Sequence, residues 1–100
     1  MVRIYGRYCG PGWTAGKARD AKDTPDSEFR RVRPIDKLDA ACQIHDWECK
    51  KGSGCTRQAD ARLAVRANQV LKSSTSTKNQ KKFARIIRDG ITLASLTRLK

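Results

Sequence analysis

The chain is poor in aromatic residues and contains a single histidine. Aromatic residues make up 6% of its 100 residues and apolar residues 38%, which predicts a thin core of about three packed helices. No apolar run approaches the roughly 20 residues that cross a bilayer, so we expect no transmembrane segment. A basic start, an apolar stretch and a small-residue cleavage site do not occur in that order, so no signal peptide is visible. The length of 100 residues predicts one small domain over residues 1–100.

Four cysteines are many for so short a chain. They are Cys9, Cys42, Cys49 and Cys55. In an oxidising compartment they would form two disulfides, with three possible connectivities, and in a reducing one they would be free or would hold a metal ion. We favour disulfides, because cross-links compensate for a thin core.

Acidic residues are few relative to basic ones. The chain has 22 Lys and Arg against 10 Asp and Glu, a net charge of +12. Residues 1–47 contain nine basic and seven acidic residues (+2), whereas residues 48–100 contain thirteen and three (+10). A field of this size attracts polyanions and anionic lipid surfaces alike. A basic face that only keeps the protein in solution is the alternative.

Hydrophobic spacing predicts a mostly α fold with three helices. The first covers residues 35–51, with Asp36 as its N-cap and Ile35 packed at its entry. The second covers residues 56–72 and the third, which is basic on its outer side, residues 79–97. The predicted inner faces are Ile35, Leu38, Cys42, His45 and Cys49, then Asp60, Leu63, Ala67, Val70 and Leu71, then Phe83, Ile86, Ile87, Ile91 and Leu93.

The only histidine lies on the inner face of the first helix, beside a carboxylate. A lone histidine there is usually a core residue, but Asp46 lies about 100° round the helix from His45, so both can face one cleft. His45 lies seven residues before Gly52 and Asp60 lies eight after it, which brings the two to nearly the same height in a helical hairpin folded at Gly52 and Gly54. A carboxylate bound to one imidazole nitrogen leaves the other as a base. Alternatively, Asp60 complements the helix dipole.

Residues 5–12, YGRYCGPG, form a glycine-punctuated loop. Its glycines allow backbone angles that turn successive carbonyls inward. A bridge between Cys9 and Cys42 would hold the loop against the histidine helix, where Asp46 would join the loop carbonyls in a calcium site. An ordinary tight turn is the alternative. Residues 13–33, polar and without a period, predict a long surface loop.

A zinc site is the rival interpretation of the same region. Cys42, His45 and Cys49 have the spacing of zinc ligands, and Cys55 would complete a site of three cysteines and one histidine. That arrangement gives Cys9 and the glycine loop no role, so we favour calcium.

Two motifs resemble the secreted phospholipase A2 family. Residues 5–12 are similar to its calcium loop, Y-G-x-Y-C-G-x-G, and residues 42–46, CQIHD, are similar to its C-x-x-H-D active-site helix. With residues 34–41 leading into that helix, the compact form looks closest to the phospholipase domains of parvovirus capsid proteins. The resemblance covers residues 5–71. It implies a small disulfide-linked phospholipase A2-like fold with a calcium loop over residues 5–13, an antiparallel helix pair and a C-terminal basic helix.

The resemblance also implies a role for each site residue. His45 would deprotonate a water that attacks the sn-2 ester of a phospholipid, and Asp60 would orient the imidazole. Calcium and the Gly10 N–H would stabilise the oxyanion. A Cys9–Cys42 bridge has a counterpart in the family. The implied calcium ligands are the carboxylate of Asp46 and the carbonyls of Tyr8, Gly10 and Gly12.

The chain departs from the family behind the histidine. Family members have a cysteine three residues after it and a tyrosine four residues after it, where this chain has Glu48 and Cys49. The tyrosine that supports the second aspartate is therefore missing, and we expect a Cys49–Cys55 bridge to stiffen the hairpin instead. Trp13 replaces a small residue after the loop, and either inserts into lipid or packs on the core.

These observations predict a calcium-dependent phospholipase A2 that releases a lysophospholipid and a free fatty acid. Its partner would be the surface of a phospholipid bilayer, preferably an anionic one, and its location secreted or virion-associated. The alternative is a non-catalytic basic module that binds membrane or nucleic acid on a phospholipase-like scaffold. Nucleic acid is the weaker candidate because Phe83 is the only aromatic residue of the basic half. The intact Asp46 argues against a non-catalytic module.

Overall fold

The computed structural model describes residues 2–52 and 54–99. It is mostly helical and carries two disulfides, as predicted. No helix in the described ranges is long and apolar enough to cross a bilayer. The elements in chain order are β1 (Trp13–Thr14), β2 (Lys17–Ala18), a 3₁₀ turn (Ala21–Asp23), α1 (Asp26–Arg31), α2 (Lys37–Lys51), α3 (Arg57–Lys72) and α4 (Lys78–Ser95).

Each of the three long helices begins at a side chain that accepts an unpaired backbone N–H. Asp36 accepts the N–H of Asp39 at the start of α2, and Thr56 accepts the N–H of Ala59 at the start of α3. At the start of α4, Thr77 and Gln80 cap each other's backbone N–H groups. Such caps fix where a helix starts and stabilise it by about 1 kcal/mol each.

The core lies where α3 packs between α2 and α4. Ala67 on α3 and Ala84 on α4 are fully buried, and their small side chains let the two helices approach closely. Arg57 at the start of α3 binds the carbonyl of Arg98 near the chain end, and Asn68 farther along α3 binds Arg88 within α4. The two helices therefore run antiparallel.

The segment predicted as a long surface loop, residues 13–33, is structured, so that prediction was wrong. It contains the β1–β2 hairpin, the 3₁₀ turn and α1. Helix α1 starts after Pro25, has acidic residues in its first turn and basic residues in its last, and buries Phe29. Six residues are too few to show a helical period, which is why the pattern was missed.

Some predicted details also differ at the helix ends. Helix α2 begins at Lys37 rather than at residue 35, and α4 spans Lys78–Ser95 rather than residues 79–97. Ile35 does not pack at the helix entry, because it is 53% exposed. Ile86 and Leu93, both predicted on the inner face of α4, are 44% and 67% exposed.

Candidate active site

One cleft of about 590 Å³ contains most of the predicted site residues. The N-terminal loop forms one wall with Tyr8, Gly10 and Gly12, and α2 contributes His45 and Asp46. Leu63 of α3 and several residues of α4 give the cleft an apolar side. These α4 residues are Ile86, Ile87, Gly90, Ile91 and Ala94. Polar groups that face an extended apolar wall suit a ligand that has both a polar and an apolar part.

The glycine loop is held in place by Asp39, the third residue of α2. Its carboxylate accepts the N–H of Arg7 at 3.0 Å, of Tyr8 at 2.9 Å and of Ile35 at 2.9 Å. The side chain is fully buried. Gly6, with φ +61°, lies so close that a Cβ there would be 2.4 Å from the Asp39 carboxyl carbon. The loop and the histidine helix are therefore joined by a charged acceptor as well as by a disulfide.

Gly10 is required where the N-terminal residues cross the loop. The Val2 N–H donates to the Pro11 carbonyl at 2.8 Å, and the Ile4 N–H donates to the Cys9 carbonyl at 2.9 Å. A Cβ on Gly10, whose φ is +140°, would lie 2.0 Å from the Val2 carbonyl oxygen. No side chain larger than hydrogen fits there. Within the described ranges no group accepts the Gly10 N–H.

Two aromatic side chains hold the loop from the sides. Tyr8 is buried, stacks on Phe29 with ring centroids 5.8 Å apart, and donates from its hydroxyl to the carbonyl of Val32. Trp13 donates from its indole nitrogen to the carbonyl of Gly6 at 3.1 Å. Trp13 is half-buried and lies outside the core cluster, so neither alternative given for it is confirmed.

Both predicted disulfides are present, Cys9–Cys42 and Cys49–Cys55. The first ties the loop to α2 one turn before His45. The second lies beside the imidazole, with the Cys49 sulfur 3.8 Å from Nε2. Zinc is held by cysteine thiolates, and no cysteine of the chain is free. The rival zinc site therefore lacks its ligands in this disulfide-bonded chain.

His45 and Asp60 are brought together at the back of the cleft. Nε2 of His45 lies 2.7 Å from Oδ1 of Asp60, which is 1% exposed. Burial opposes the charge on Asp60, but Arg98, at 2.9 Å from its Oδ2, and His45 outweigh that effect and lower its pKa. An ionised carboxylate only accepts hydrogen bonds, so Nε2 carries a proton and the neutral imidazole has its lone pair on Nδ1.

The imidazole is also more basic than usual. Burial by itself would lower the pKa of His45, but its contacts with Asp46 and Asp60 outweigh burial and raise that pKa above its ordinary value. Nδ1 lies 3.9 Å from Oδ1 of Asp46, which is beyond hydrogen-bond distance. Nδ1, which carries the lone pair, therefore has no direct hydrogen bond to the carboxylate of Asp46.

Asp46 is an incompletely paired carboxylate on the wall of the cleft. Its Oδ2 is buried and has no hydrogen-bond partner in the described part of the chain. Burial raises the pKa of Asp46 to about 6, against the lowering effect of His45. Buried polar atoms are nearly always paired, so this oxygen is free to accept from a water or a proton donor or to bind a cation.

Sequence reasoning missed two residues of this region, Asp39 and Arg98. Asp39 lies in the first turn of α2, where acidic residues commonly complement the helix dipole, so its position does not indicate the loop contact. Arg98 belongs to residues 72–100, which match no motif, and its contact with Asp60 spans 38 residues. No local pattern marks a pair that is so distant in sequence.

No protein-family model, curated protein or solved structure matches this chain.

Proposed function

We propose that the protein is a calcium-dependent phospholipase A2, hydrolysing the sn-2 ester of membrane phospholipids. The observation that carries the proposal is the pairing of His45 with the buried Asp60, next to a carboxylate on Asp46 that has one unpartnered oxygen. Metal-assisted ester hydrolysis requires at least a general base in a fixed tautomer and a ligand for the cation beside it. The resemblance of residues 5–12 and 42–46 to the phospholipase motifs supports the same conclusion.

The donor set on the cleft wall fits calcium. Calcium prefers carboxylate and carbonyl oxygens, and the wall combines the orphaned oxygen of Asp46 with the backbone of the glycine loop. The residues that would hold the ion are Asp46, Tyr8, Gly10 and Gly12. A bound calcium would supply a positive charge that polarises the ester carbonyl.

The chain's own groups then divide the remaining work. Nδ1 of His45 accepts a proton from water as that water attacks the ester carbonyl, and Asp60 stabilises the resulting imidazolium. The Gly10 N–H, which has no acceptor in the described ranges, donates to the developing oxyanion. When the lysophospholipid leaves, the imidazolium returns its proton to the departing oxygen. A positioned base of this kind accelerates a reaction by about 10²- to 10⁴-fold.

The basic side of the chain suits an anionic lipid surface. A second cavity, of about 460 Å³, lies at the turn between α3 and α4, and its lining is mostly basic. None of its basic side chains forms an ion pair in the described part of the chain. Exposed, unpaired cations attract phosphate groups. The lining consists of Leu71, Lys72, Lys78, Lys81, Lys82 and Arg85.

The same cavity is the observation that favours the second candidate, a non-catalytic basic module. Lipid hydrolysis by wild-type protein and by a variant with Gln at Lys78, Lys81 and Lys82 distinguishes the lipase from the module. For the lipase we expect weaker binding to anionic vesicles and slower hydrolysis on them, with hydrolysis of dispersed short-chain phospholipid unchanged. For the module, wild-type protein would bind nucleic acid with a steep salt dependence and release no fatty acid.

The proposal is tested by measuring fatty-acid release from vesicles with calcium and with a chelator. We expect His45→Gln to lower the rate by about 10²-fold or more, and Asp46→Asn to raise the calcium concentration needed. Gln58→Ala, an exposed change on α3, is the matched control and should behave as wild type. Near-ultraviolet circular dichroism shows whether each variant keeps its tertiary packing. Release that is independent of calcium would contradict the assignment.

A further inference from the structure

Asp60 carries two different partners, one on each carboxylate oxygen. Oδ1 contacts Nε2 of His45 at 2.7 Å, and Oδ2 accepts from Nε of Arg98 at 2.9 Å. The second guanidinium nitrogen lies 3.4 Å from Oδ1. Because the fork of Arg98 engages both oxygens, rotation of the carboxylate about its Cβ–Cγ bond is restricted.

A carboxylate of Asp60 that cannot rotate also restricts the orientation of the His45 imidazole. A carboxylate held only by its histidine can rotate together with the ring, whereas one fixed from the far side sets the plane in which the ring must lie. Asp60 is 1% exposed, so water does not replace Arg98 as its second partner without a rearrangement. The direction in which Nδ1 of His45 faces the cleft thus depends on Arg98.

Arg98 is itself held in place by the start of α3. Both Nε and Nη2 of Arg57 donate to the carbonyl of Arg98, at 3.1 Å and 2.7 Å. Arg57 lies three residues before Asp60 on the same helix, so a short clamp ties the C-terminal segment to the carboxylate. Arg98 also reaches the cleft wall, and its side chain is 29% exposed.

We infer that Arg98 is a positioning residue for the His45–Asp60 pair and replaces the tyrosine that this chain lacks at residue 49. The inference rests on the proposed function for its catalytic meaning, although the geometric part stands without it. The C-terminal segment, which matches no motif, thereby acquires a defined role, because it completes the support behind the histidine.

The test uses the fact that His45 is the only histidine of the chain. Its imidazole resonances in the full-length, calcium-free protein can therefore be followed by NMR without assignment ambiguity. Arg98→Ala frees Asp60 to act on the imidazole alone, so the pKa of His45 should rise, by about half a pH unit or more. Arg98→Lys retains the charge and should keep most of the wild-type value. Asp46, the other charged group facing the ring, is unchanged in both variants.

Hydrolysis supplies the second readout. We expect Arg98→Ala to lower kcat by about tenfold or more, which is part of the roughly 10²- to 10⁴-fold that a positioned general base contributes, with KM nearly unchanged. Arg98→Lys should recover part of the rate. Arg57→Ala releases the backbone of Arg98 and keeps its side chain, so its kcat should lie between those of wild type and Arg98→Ala. This variant provides a test if Arg98→Ala does not fold. Arg30→Ala removes the same charge from an exposed site on α1 and should change neither quantity.

Two results would overturn the inference. One is an unchanged His45 pKa together with an unchanged kcat in folded Arg98→Ala. The other is a raised KM with constant kcat, which would make Arg98 a substrate contact. Because the NMR measurement needs neither calcium nor substrate, a wild-type protein without lipase activity would refute the proposed function and leave the placement of Arg98 to be decided by the resonance shift.

Discussion

Removing the Asp39 carboxylate should destabilise the protein far more than removing an exposed acid. In Asp39→Ala, the backbone N–H groups of Arg7, Tyr8 and Ile35 lose a fully buried acceptor. Hydrogen bonds to charged groups contribute about 1.5 kcal/mol or more each, and water entering the site returns part of this. We therefore expect a loss of about 4 kcal/mol from a domain whose whole stability is about 5–15 kcal/mol.

The assay is urea unfolding of the disulfide-bonded protein at neutral pH, followed by helical circular dichroism. Asp89→Ala is the control, because Asp89 is 59% exposed and pairs only with its neighbour Arg88 in the described structure. Its effect should stay within about 0.5 kcal/mol. Asp39→Asn keeps one acceptor oxygen and should lie between the two. A loss below about 1 kcal/mol for Asp39→Ala would refute the view that Asp39 anchors the glycine loop.

Two further predictions concern the disulfides and the histidine. Cys9–Cys42 and Cys49–Cys55 join residues 33 and 6 positions apart, so chain entropy predicts that removing them costs about 4 and about 2 kcal/mol. Guanidinium unfolding of the two double alanine variants would contradict this if the shorter bridge contributed more. In calcium-free protein, His45 should titrate above its ordinary value of about 6.5, and Asp60→Asn should lower that midpoint. Protonated His45 therefore contributes to the free energy of unfolding in full below about pH 6.5, and this contribution is lost as the pH rises through the raised pKa. A midpoint below the ordinary value would contradict the contacts assigned to the ring.

The parts of the site that lie on regular helices were predictable. The 3.6-residue period placed His45 and Asp60 on inner faces, and their similar distances from the glycine turn brought them to nearly the same height. The Cys9–Cys42 disulfide followed from the resemblance and from the position of Cys42 one turn before His45, whereas Cys49–Cys55 was expected where the chain departs from the family. These deductions worked because helix geometry converts sequence spacing directly into direction.

The rest depended on contacts between segments with no shared local pattern. Asp39 contacts a loop about 31 residues earlier in the chain, and Arg98 reaches Asp60 from the chain end. Helix α1 is too short to show a period, although Phe29 at its centre supports Tyr8. Tertiary packing chooses these partners, and one sequence by itself carries no signal for that choice.

The central claim is tested most directly with a phospholipid that carries different acyl chains at its two positions, presented in anionic vesicles. Mass spectrometry identifies which fatty acid is released and which lysophospholipid remains. With calcium, we predict equal amounts of the sn-2 fatty acid and its matching lysophospholipid, and neither product with a chelator or with His45→Gln. Absence of both products from the wild-type reaction, or equal release with chelator present, would contradict the account.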